Sequence, residues 1–337
     1  MKILITGGCG FIGSHIAVKL LENNHDIIIL DNLINCKKST LDKIKQITNK
    51  NFSFHKVDIK NVEELEKIFQ ENDIELVIHL AGLKSVSQSK LDPMSYFDNN
   101  VNGSIKLINI MNKYNVKKII FSSSATVYKD SKIMPLKESN PVEPSSPYGH
   151  SKLMTEKILN ELSLSDNSWR VTVLRYFNPV GAHKSGIIGE DPNSGSDNLV
   201  PHILKAAINN EKKLHIFGDD YETKDGTGIR DYIHINDLVN GHICAVNKMV
   251  QTSNDKNYVV INLGSGMGFS VKEIISEFEK VIGKKINVVI DKRRIGDVAV
   301  SFTDNSFAKK YLEWDIKESL KSICEDAWNW KKKNNES

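Results

Sequence analysis

The chain has few cysteines, no metal-binding pattern and no long hydrophobic run, and each absence excludes a class of protein. Its four cysteines stand far apart without a C-x-x-C pair, which is typical of reduced thiols in a cytoplasmic protein. The ten histidines form no H-x-x-x-H pattern, so we expect no metal site. No apolar run approaches the roughly 18 residues that cross a membrane, and we expect neither a signal peptide nor a membrane partner.

Charge of neither sign predominates. The chain has 45 Lys and Arg against 42 Asp and Glu, and the resulting net charge of +3 is scattered. A chain that binds nucleic acid usually carries a basic patch or stripe, so we expect no nucleic-acid partner. The length of 337 residues is enough for one large domain or two ordinary ones with a buried core.

The first half of the chain alternates between strand-like and helix-like patterns. Apolar runs typical of buried strands occupy residues 2–6, 26–30, 52–57, 76–80, 118–122 and 171–174. Amphipathic stretches typical of helices lie between them, at residues 12–23, 40–49, 61–72, 94–113 and 148–164. This alternation predicts an α/β fold with a Rossmann-type doubly wound parallel sheet.

Beyond about residue 177 the alternation is replaced by loops rich in Gly, Asp and Asn. We therefore predict a first domain at residues 1–177 and a smaller C-terminal substrate-binding lobe made mainly of residues 178–337. Part of the second half, about residues 231–265, is expected to return to the first domain.

The loop after the first strand is rich in glycine. Gly7, Gly10 and Gly13 lie between the first strand and the first helix, where the backbone can approach a pyrophosphate at the helix N-terminus. Asp31 ends the second strand, 18 residues beyond Gly13. Its carboxylate would accept hydrogen bonds from both ribose hydroxyls and repel a 2′-phosphate. The pattern predicts NAD, rather than NADP, as the cofactor.

Two further turns contain candidate cofactor contacts. Asp58 follows the third strand and is a candidate contact for the adenine. Small residues follow the fourth strand and precede Lys84, at Leu80, Ala81 and Gly82. Each of these residues could equally belong to an ordinary turn.

A tyrosine followed four residues later by a lysine can remove a hydroxyl proton while a nicotinamide takes a hydride. This spacing occurs three times, at Tyr114/Lys118, Tyr128/Lys132 and Tyr148/Lys152. Only the third pair opens a regular helical pattern, in which residues four apart share a face. Lowering the pKa of a tyrosine from roughly 10 to near 7 requires about 4 kcal/mol in favour of the anion. The expected sources are the ammonium group of Lys152 and the positive charge of the oxidised nicotinamide.

Nearly the whole chain resembles the UDP-glucose 4-epimerase family (UDP-galactose 4-epimerase) of the extended short-chain dehydrogenase/reductases. The residues that carry the resemblance are ITGG at 5–8, GSH at 13–15, DNL at 31–33, HLAGLK at 79–84, DNNVNG at 98–103, FSSSATVY at 121–128, SPYG at 146–149, LRYFNPVGAH at 174–183, DGTGIRDYIH at 225–234 and Gly296-Asp297.

The resemblance implies a role for each matching residue. Tyr148 would be the acid and base at the sugar 4-hydroxyl, Lys152 would lower its pKa and hold the nicotinamide ribose, and Ser124 would relay hydrogen bonds. The remaining NAD contacts, besides the three glycines, would be Phe11, Ile12, Asp31, Asn32, Asn35, Asp58, Ile59, Leu80, Ala81, Gly82, Lys84, Asn99, Ser122 and Phe177. The UDP-hexose would meet Lys84, Ser124, Tyr148, Asn178, Asn198, Leu199, His215, Phe217, Arg230, Arg294, Asp297 and Ser301.

Arginine usage supports two of these positions. Only five of the 45 basic residues are arginines, so each arginine is more often present for its geometry than for its charge alone. Arg230 and Arg294 fall where the diphosphate would lie, and a planar guanidinium suits phosphate oxygens. Arg293 is equally well explained as a neighbour of that site or as a solvated surface residue.

The family's reaction is a round trip, in which the sugar is oxidised at C4 to a 4-keto sugar, turns over and is reduced on its other face. NAD is regenerated in each cycle and stays bound. The family also implies a place in galactose metabolism and a homodimer formed through the helices at 94–113 and 148–164.

The position of Ser301 bears on which sugars are accepted. In the family, a tyrosine four residues beyond the motif's Asp297 restricts the enzyme to glucose and galactose, and a small residue admits N-acetyl sugars. We therefore predict activity on UDP-GlcNAc and UDP-GalNAc as well. Ile295 replaces a common Glu, and a one-residue shift of this loop would place Phe302 in the same space.

Three alternatives remain open. A 4,6-dehydratase on the same fold requires an acidic pair just after the relay hydroxyl, whereas Ala125 and Thr126 follow Ser124 here. A 4-epimerase of another UDP-sugar, such as UDP-glucuronate, would want an additional cation near the hexose. A catalytically silent NAD-sensing protein would have lost Tyr148, Lys152 or Ser124, and all three are present.

Overall fold

The computed structural model describes residues 1–130, 133–191, 198–209, 212–251, 256–294 and 297–334. The strands of these residues are β1 Lys2–Thr6, β2 Asp26–Leu30, β3 Ser53–His55, β4 Leu76–His79, β5 Lys118–Ser124, β6 Arg170–Tyr176, β7 Asn178–Val180, β8 Leu214–Phe217, β9 Ile229–His234, β10 Tyr258–Leu263, β11 Gly268–Ser270, β12 Val288–Asp291 and β13 Val300–Ser301. The helices are α1 Phe11–Glu22, α2 Thr40–Thr48, α3 Val62–Glu71, α4 Val86–Leu91, α5 Pro93–Tyr96, α6 Gly103–Lys113, α7 Pro147–Ser165, α8 Leu199–Ile208, α9 Ile235–Gln251, α10 Val271–Ile282, α11 Ser306–Leu312 and α12 Leu320–Lys333. A π-helical segment at Phe97–Asn102 and a 3-10 turn at Ala125–Val127 complete the list.

Within the described residues, seven parallel strands form the central sheet in the order β3-β2-β1-β4-β5-β6-β10. The chain builds the sheet outward from β1 to β3, then returns to the other side of β1 and continues from β4. The strand order therefore reverses between β1 and β4, and loops diverge from the carboxyl ends of these two strands. The predicted doubly wound parallel sheet is confirmed.

The central strands are apolar along their length because helices cover both faces of the sheet. Ile3 and Ile5 of β1 pack on one face with residues of α1 and α9, including Leu238. Leu4 points to the opposite face, where it packs with Leu65 of α3 and with residues of α6 such as Leu107. The alternation of a strand thus divides one apolar run between two cores.

The second half of the chain forms its own small sheets. Strand β9 pairs with β7, β11 and β13, and β8 pairs with β12. Helices α8, α10 and α12 pack around a third core that includes Phe278, Ile323 and Trp330. From β9 the chain then runs through α9 to β10, which pairs with β6 at the edge of the central sheet.

The segment predicted as one helix at 94–113 is helical but not uniform. Asp92 caps a short helix α5, and the chain passes through the π-helical segment before α6 begins at Gly103. The wider turn contains Asn100, which is buried. Its side chain donates to the Leu83 carbonyl and the Ser151 hydroxyl, both at 3.0 Å. The polar contacts of Asn100 explain the local departure from α-helix, and they fix the loop that follows β4.

A buried ion pair fixes α7 on the sheet. The Arg175 guanidinium of β6 donates to both carboxylate oxygens of Glu156, at 2.6 and 3.0 Å, and both side chains are at most 6% exposed. The Ser123 hydroxyl of β5 donates to the same carboxylate. Because Glu156 lies one helical turn beyond Lys152, this pair determines where Lys152 meets the carboxyl end of β5.

We predict that Glu156→Gln lowers the free energy of unfolding by about 3 kcal/mol, because Arg175 would remain buried without its anionic partner. Urea denaturation followed by circular dichroism measures the change. Glu22→Gln, in the exposed pair with Lys19, is the matched control and should cost less than about 1 kcal/mol. Equal losses in the two variants would contradict the structural importance of the buried pair.

Candidate active site

A cavity of about 1130 Å³ lies at the carboxyl ends of β1, β4, β5 and β6, between the central sheet and the second half of the chain. Ligand cavities usually measure roughly 300–1,000 Å³, so this one can hold a dinucleotide together with a second large ligand. The site residues named from the sequence, with the exception of Asp58, line this cavity.

The glycine-rich loop closes the gap between β1 and β4. Gly7 has a φ of +72°, and a Cβ atom on it would come within 2.8 Å of the Ala81 backbone nitrogen. A Cβ atom on Gly13 would lie 2.3 Å from the Gly7 carbonyl oxygen. Only glycine can occupy either position, and α1 can then direct its first N–H groups into the cavity. This backbone cradle suits the pyrophosphate of a dinucleotide.

Asp31 is held in place by the loops on either side of it. Its carboxylate accepts from the Cys9 backbone nitrogen at 3.0 Å and from the Leu33 backbone nitrogen at 2.9 Å. Leu33 has a φ of +64°, which is uncommon for a residue with a branched side chain, so the turn after β2 is held against its local preference. The buried carboxylate lines the cavity.

Asp58 is placed differently from the other cofactor candidates. Its carboxylate accepts from the Asn32 side chain at 3.0 Å and from the Lys60 backbone nitrogen at 2.9 Å. Among the described residues it is not part of the cavity lining, whereas Asn32 and Ile59 are. In this arrangement Asp58 orients Asn32, and Asn32 faces the cavity.

Lys152 is buried on α7 at the end of β5. Helix α7 begins at Pro147, and the Ser146 hydroxyl caps it by accepting from the Gly149 nitrogen at 3.2 Å. Tyr148 and Lys152 lie one turn apart on the same face, with the lysine nitrogen 6.0 Å from the centre of the tyrosine ring. The lysine also donates to the Ser122 carbonyl at 2.8 Å.

The electrostatics of this pair are dominated by burial. Burial raises the pKa of Tyr148 to about 12, although its hydrogen bond to Ser124 acts in the opposite direction. Burial also lowers the pKa of Lys152 to about 8, partly offset by the charge of Glu156. The protein's own groups therefore keep Tyr148 protonated at neutral pH.

Thr126 sets the direction of the Ser124 hydroxyl. The Ser124 oxygen accepts from the Thr126 backbone nitrogen at 3.2 Å and from the Thr126 hydroxyl at 3.0 Å. With these acceptor positions filled, the proton of Ser124 is directed away from Thr126, and Tyr148 is its hydrogen-bonding neighbour. Sequence reasoning did not find Thr126, because its role depends on which hydroxyl donates.

Residues of the second half, most of them polar, line the opposite wall of the cavity. They are Asn178, Asn198, Leu199, His215, Phe217, Arg230, Arg294, Asp297 and Ser301. The Arg294 guanidinium lies 3.8 Å from the centre of the Phe217 ring, which fixes its plane. Arg293 instead packs over Tyr221 and pairs with Asp220 at 2.7 Å, so it is a neighbour of the site and not a part of its wall.

Glu190 connects the two walls and was not found from the sequence. Its carboxylate accepts from Lys84 at 3.1 Å and from the Asn198 side chain at 3.0 Å. Lys84 follows β4 on the cofactor side, and Asn198 precedes α8 on the other side. A single carboxylate thus holds one residue predicted to meet NAD and one predicted to meet the UDP-sugar.

Ser301 and Phe302 point in different directions. Ser301 pairs with Arg230 across β13 and β9 and lines the cavity. The Phe302 ring lies against Gly268, where a Cβ atom would come within 3.2 Å of it, and among the described residues it is not part of the lining. Ile295 and Gly296 lie outside the described residues. The serine, and not the phenylalanine, occupies the position facing the cavity.

The chain was compared with known proteins. The model of the "NAD dependent epimerase/dehydratase family" matches residues 3–264. A UDP-glucose 4-epimerase of Bacillus subtilis (strain 168) is 47% identical over 334 residues, covering 99% of this chain and 98% of the relative. Among solved structures, a UDP-glucose 4-epimerase from Bifidobacterium longum in complex with NAD+ and UDP is 42% identical with a TM-score of 0.95, and 99% of each chain is covered. The UDP-Glc/GlcNAc 4-epimerase of Campylobacter jejuni is 34% identical with a TM-score of 0.85, covering 98% of this chain and 99% of that one.

Among the described residues, no helix is long and apolar enough to cross a membrane.

Proposed function

The chain belongs to the NAD dependent epimerase/dehydratase family, and we propose that it interconverts UDP-glucose and UDP-galactose by transient oxidation at C4 with bound NAD. The observation that carries the proposal is the meeting of Tyr148, Lys152 and Ser124 in one cavity with the glycine cradle and Asp31. A protein that only binds NAD would need the glycine cradle and the Asp31 carboxylate, but not Tyr148, Lys152 and Ser124.

The cradle at Gly7 and Gly13 and the carboxylate of Asp31 match the pyrophosphate and the adenosine ribose of NAD. When bound, NAD supplies the hydride acceptor and donor for the sugar C4. Lys152 holds the nicotinamide ribose and contributes positive charge next to Tyr148. Ala81, in the loop after β4, and Ser122, near the carboxyl end of β5, would contact the nicotinamide half.

Tyr148 removes the proton of the 4-hydroxyl as the hydride leaves C4, and it returns a proton when the sugar is reduced. Ser124 donates to the tyrosine oxygen and so favours the phenolate. Its own orientation comes from Thr126. The reaction is neutral over one cycle, because the proton that Tyr148 takes is the proton it gives back.

Inversion at C4 requires the 4-keto sugar to turn over between the two hydride transfers. The nucleotide must therefore be held firmly and the hexose loosely. Arg230 and Arg294 provide charge-paired contacts for the diphosphate, and Asn178, Asn198 and Leu199 line the same wall. Ser301 leaves room beside the hexose.

The alternatives differ in the groups that they require. A 4,6-dehydratase needs a carboxylate where this chain has the turn of Ala125 and Thr126, and the Thr126 hydroxyl is engaged with Ser124. A UDP-glucuronate epimerase or a silent NAD-sensing protein would share the cavity described above. These alternatives are separated by an assay of turnover.

We expect the purified chain to convert UDP-galactose to UDP-glucose without added NAD and without accumulating NADH. Anomeric-proton NMR follows the sugars and ultraviolet absorbance follows NADH, with UDP-glucuronate as a parallel substrate. Tyr148→Phe is the control and should be inactive. If only UDP-glucuronate is converted, the chain is an epimerase of that sugar instead. If neither sugar is converted after NAD is supplied, the result supports the catalytically silent NAD-sensing protein.

The same assay tests the electrostatic role of Lys152. In Lys152→Met the positive charge next to Tyr148 is lost, and the hydrogen bond from Ser124 is left to oppose the burial that raises the pKa of Tyr148 to about 12, so we expect less of the tyrosine to be phenolate at a given pH. We expect kcat at pH 7 to fall by at least about 100-fold and then to rise about tenfold per pH unit. A pH-independent loss would mean that Lys152 only positions the cofactor.

We further propose that the chain accepts UDP-GlcNAc and UDP-GalNAc, because a small residue, Ser301, lines the cavity at the position that the resemblance assigns to the space beside the hexose. Ser301→Tyr should reduce turnover of UDP-GalNAc by at least about 100-fold while changing that of UDP-galactose only severalfold. Ser301→Ala, the matched control, should retain turnover of both UDP-GalNAc and UDP-galactose. Unchanged UDP-GalNAc turnover in Ser301→Tyr would refute this role of Ser301.

We also propose a homodimer. Leu91 and Met94 are 78% and 71% exposed on α4 and α5, and Met154 on the adjoining α7 is half-exposed. Apolar side chains exposed on neighbouring helices are typical of an interface between copies. The double variant Leu91→Glu/Met94→Glu should be monomeric by light scattering, and Val250→Glu, at another exposed apolar position, should not change the mass. A wild-type monomer, or a dimer that survives the double variant, would refute this surface.

A further inference from the structure

Two cysteines that are far apart in the sequence meet at Asp31. Cys9 follows β1 and Cys36 follows β2, and the parallel pairing of these strands brings the two loops together. The two sulfur atoms and a carboxylate oxygen of Asp31 all lie within 4.8 Å of one another. The Cys36 thiol donates to Asp31 Oδ1 at 3.3 Å.

All three side chains are buried, and all three line the cavity. Cys9 is 2% exposed, and Cys36 and Asp31 are each 7% exposed. Cys324 is also buried, but it packs among apolar residues such as Ile323 and Ala327. Among the described residues, Cys9, Asp31 and Cys36 form the one group of three His, Cys, Asp or Glu side chains close enough to share a metal ion.

The arrangement matches the preferences of thiophilic cations. Zn²⁺ is bound by thiolate sulfur at about 2.3 Å and by carboxylate oxygen at about 2.0–2.2 Å, so a tetrahedral site separates sulfur from oxygen by about 3.5 Å. The 3.3 Å between Cys36 and Asp31 is close to this separation. A fourth position would face the cavity, where water has access.

We propose that Cys9, Asp31 and Cys36 form a binding site for a thiophilic divalent cation, such as Zn²⁺ or Cd²⁺, and that metal and NAD exclude each other there. Binding replaces the two thiol protons, which are released to solvent, with two metal–sulfur bonds and one metal–oxygen bond. The exclusion rests on the proposed role of Asp31 in holding the adenosine ribose. A carboxylate that binds the metal is withdrawn from the ribose hydroxyls.

Cd²⁺ is the probe for this site, because its bonds to thiolates produce an ultraviolet charge-transfer band. The full-length protein is titrated with CdCl₂ as isolated and again with excess NAD, while equilibrium dialysis measures bound metal and chromatography measures released NAD. We expect one Cd²⁺ per chain with the band, release of NAD as the metal binds, and at least tenfold weaker metal binding in excess NAD.

Variants assign the site. Cys9→Ser and Cys36→Ser should each abolish the band while keeping bound NAD, which shows that they fold. Cys324→Ser should behave as the wild type. The proposal is overturned if no band forms in either preparation, if the band survives both serine variants, or if Cd²⁺ binds without releasing NAD. It is also overturned if Cys9 and Cys36 form a disulfide by reaction with dissolved oxygen and no metal is bound.

Failure of the metal-site proposal can be distinguished from failure of the proposed function. Epimerase turnover is measured on the same preparation before metal is added, so an inactive protein and an absent metal site give different results. In an active protein, loss of turnover on adding Cd²⁺ should follow the release of NAD and should be absent in Cys36→Ser.

Discussion

The reversal of strand order between β1 and β4 is the constraint on which the site depends. The loops that leave these strands diverge to opposite sides, and their backbones still pass close enough that only glycine is tolerated at Gly7. The crevice between them is where we propose that the pyrophosphate binds. Asp31 and Tyr148 both line the cavity that this crevice opens into.

The second requirement is electrostatic. The fold buries Tyr148 and Lys152 together and so makes the charged form of each unfavourable. A site that disfavours charge in isolation responds strongly to a positive charge brought next to it, because little water remains to screen the interaction. In the reaction proposed above, Tyr148 would therefore act as a base where an oxidised nicotinamide is present. This arrangement couples proton removal to hydride acceptance.

The sequence was most informative where a single strand or helix carries the signal. The apolar runs of β1, β2 and β4 predicted the sheet, and the helical pattern after Pro147 selected Tyr148 from three spacings. It was least informative where side chains from separate loops meet. Nothing in the spacing of Glu190 or Thr126 indicates which groups they bond. Asp58, which the sequence names as a candidate contact for the adenine, also accepts from Asn32, and this contact could not be predicted because side-chain orientation after a strand depends on its neighbours. Cys9 and Cys36 were judged to be far apart, whereas strand pairing brings them together.

The return of β10 to the central sheet links the two halves of the chain during synthesis. Until residue 263 has left the ribosome, β6 is an open edge that carries the apolar residues Val171 and Val173. An open edge of this kind pairs readily with other chains. The first half therefore emerges from the ribosome before its sheet can be completed. Pairing of β10 with β6 then closes one long loop, which consists of all the residues between these two strands. Expression of the first half alone would leave this edge without its strand, which favours aggregation over a stable NAD-binding fragment.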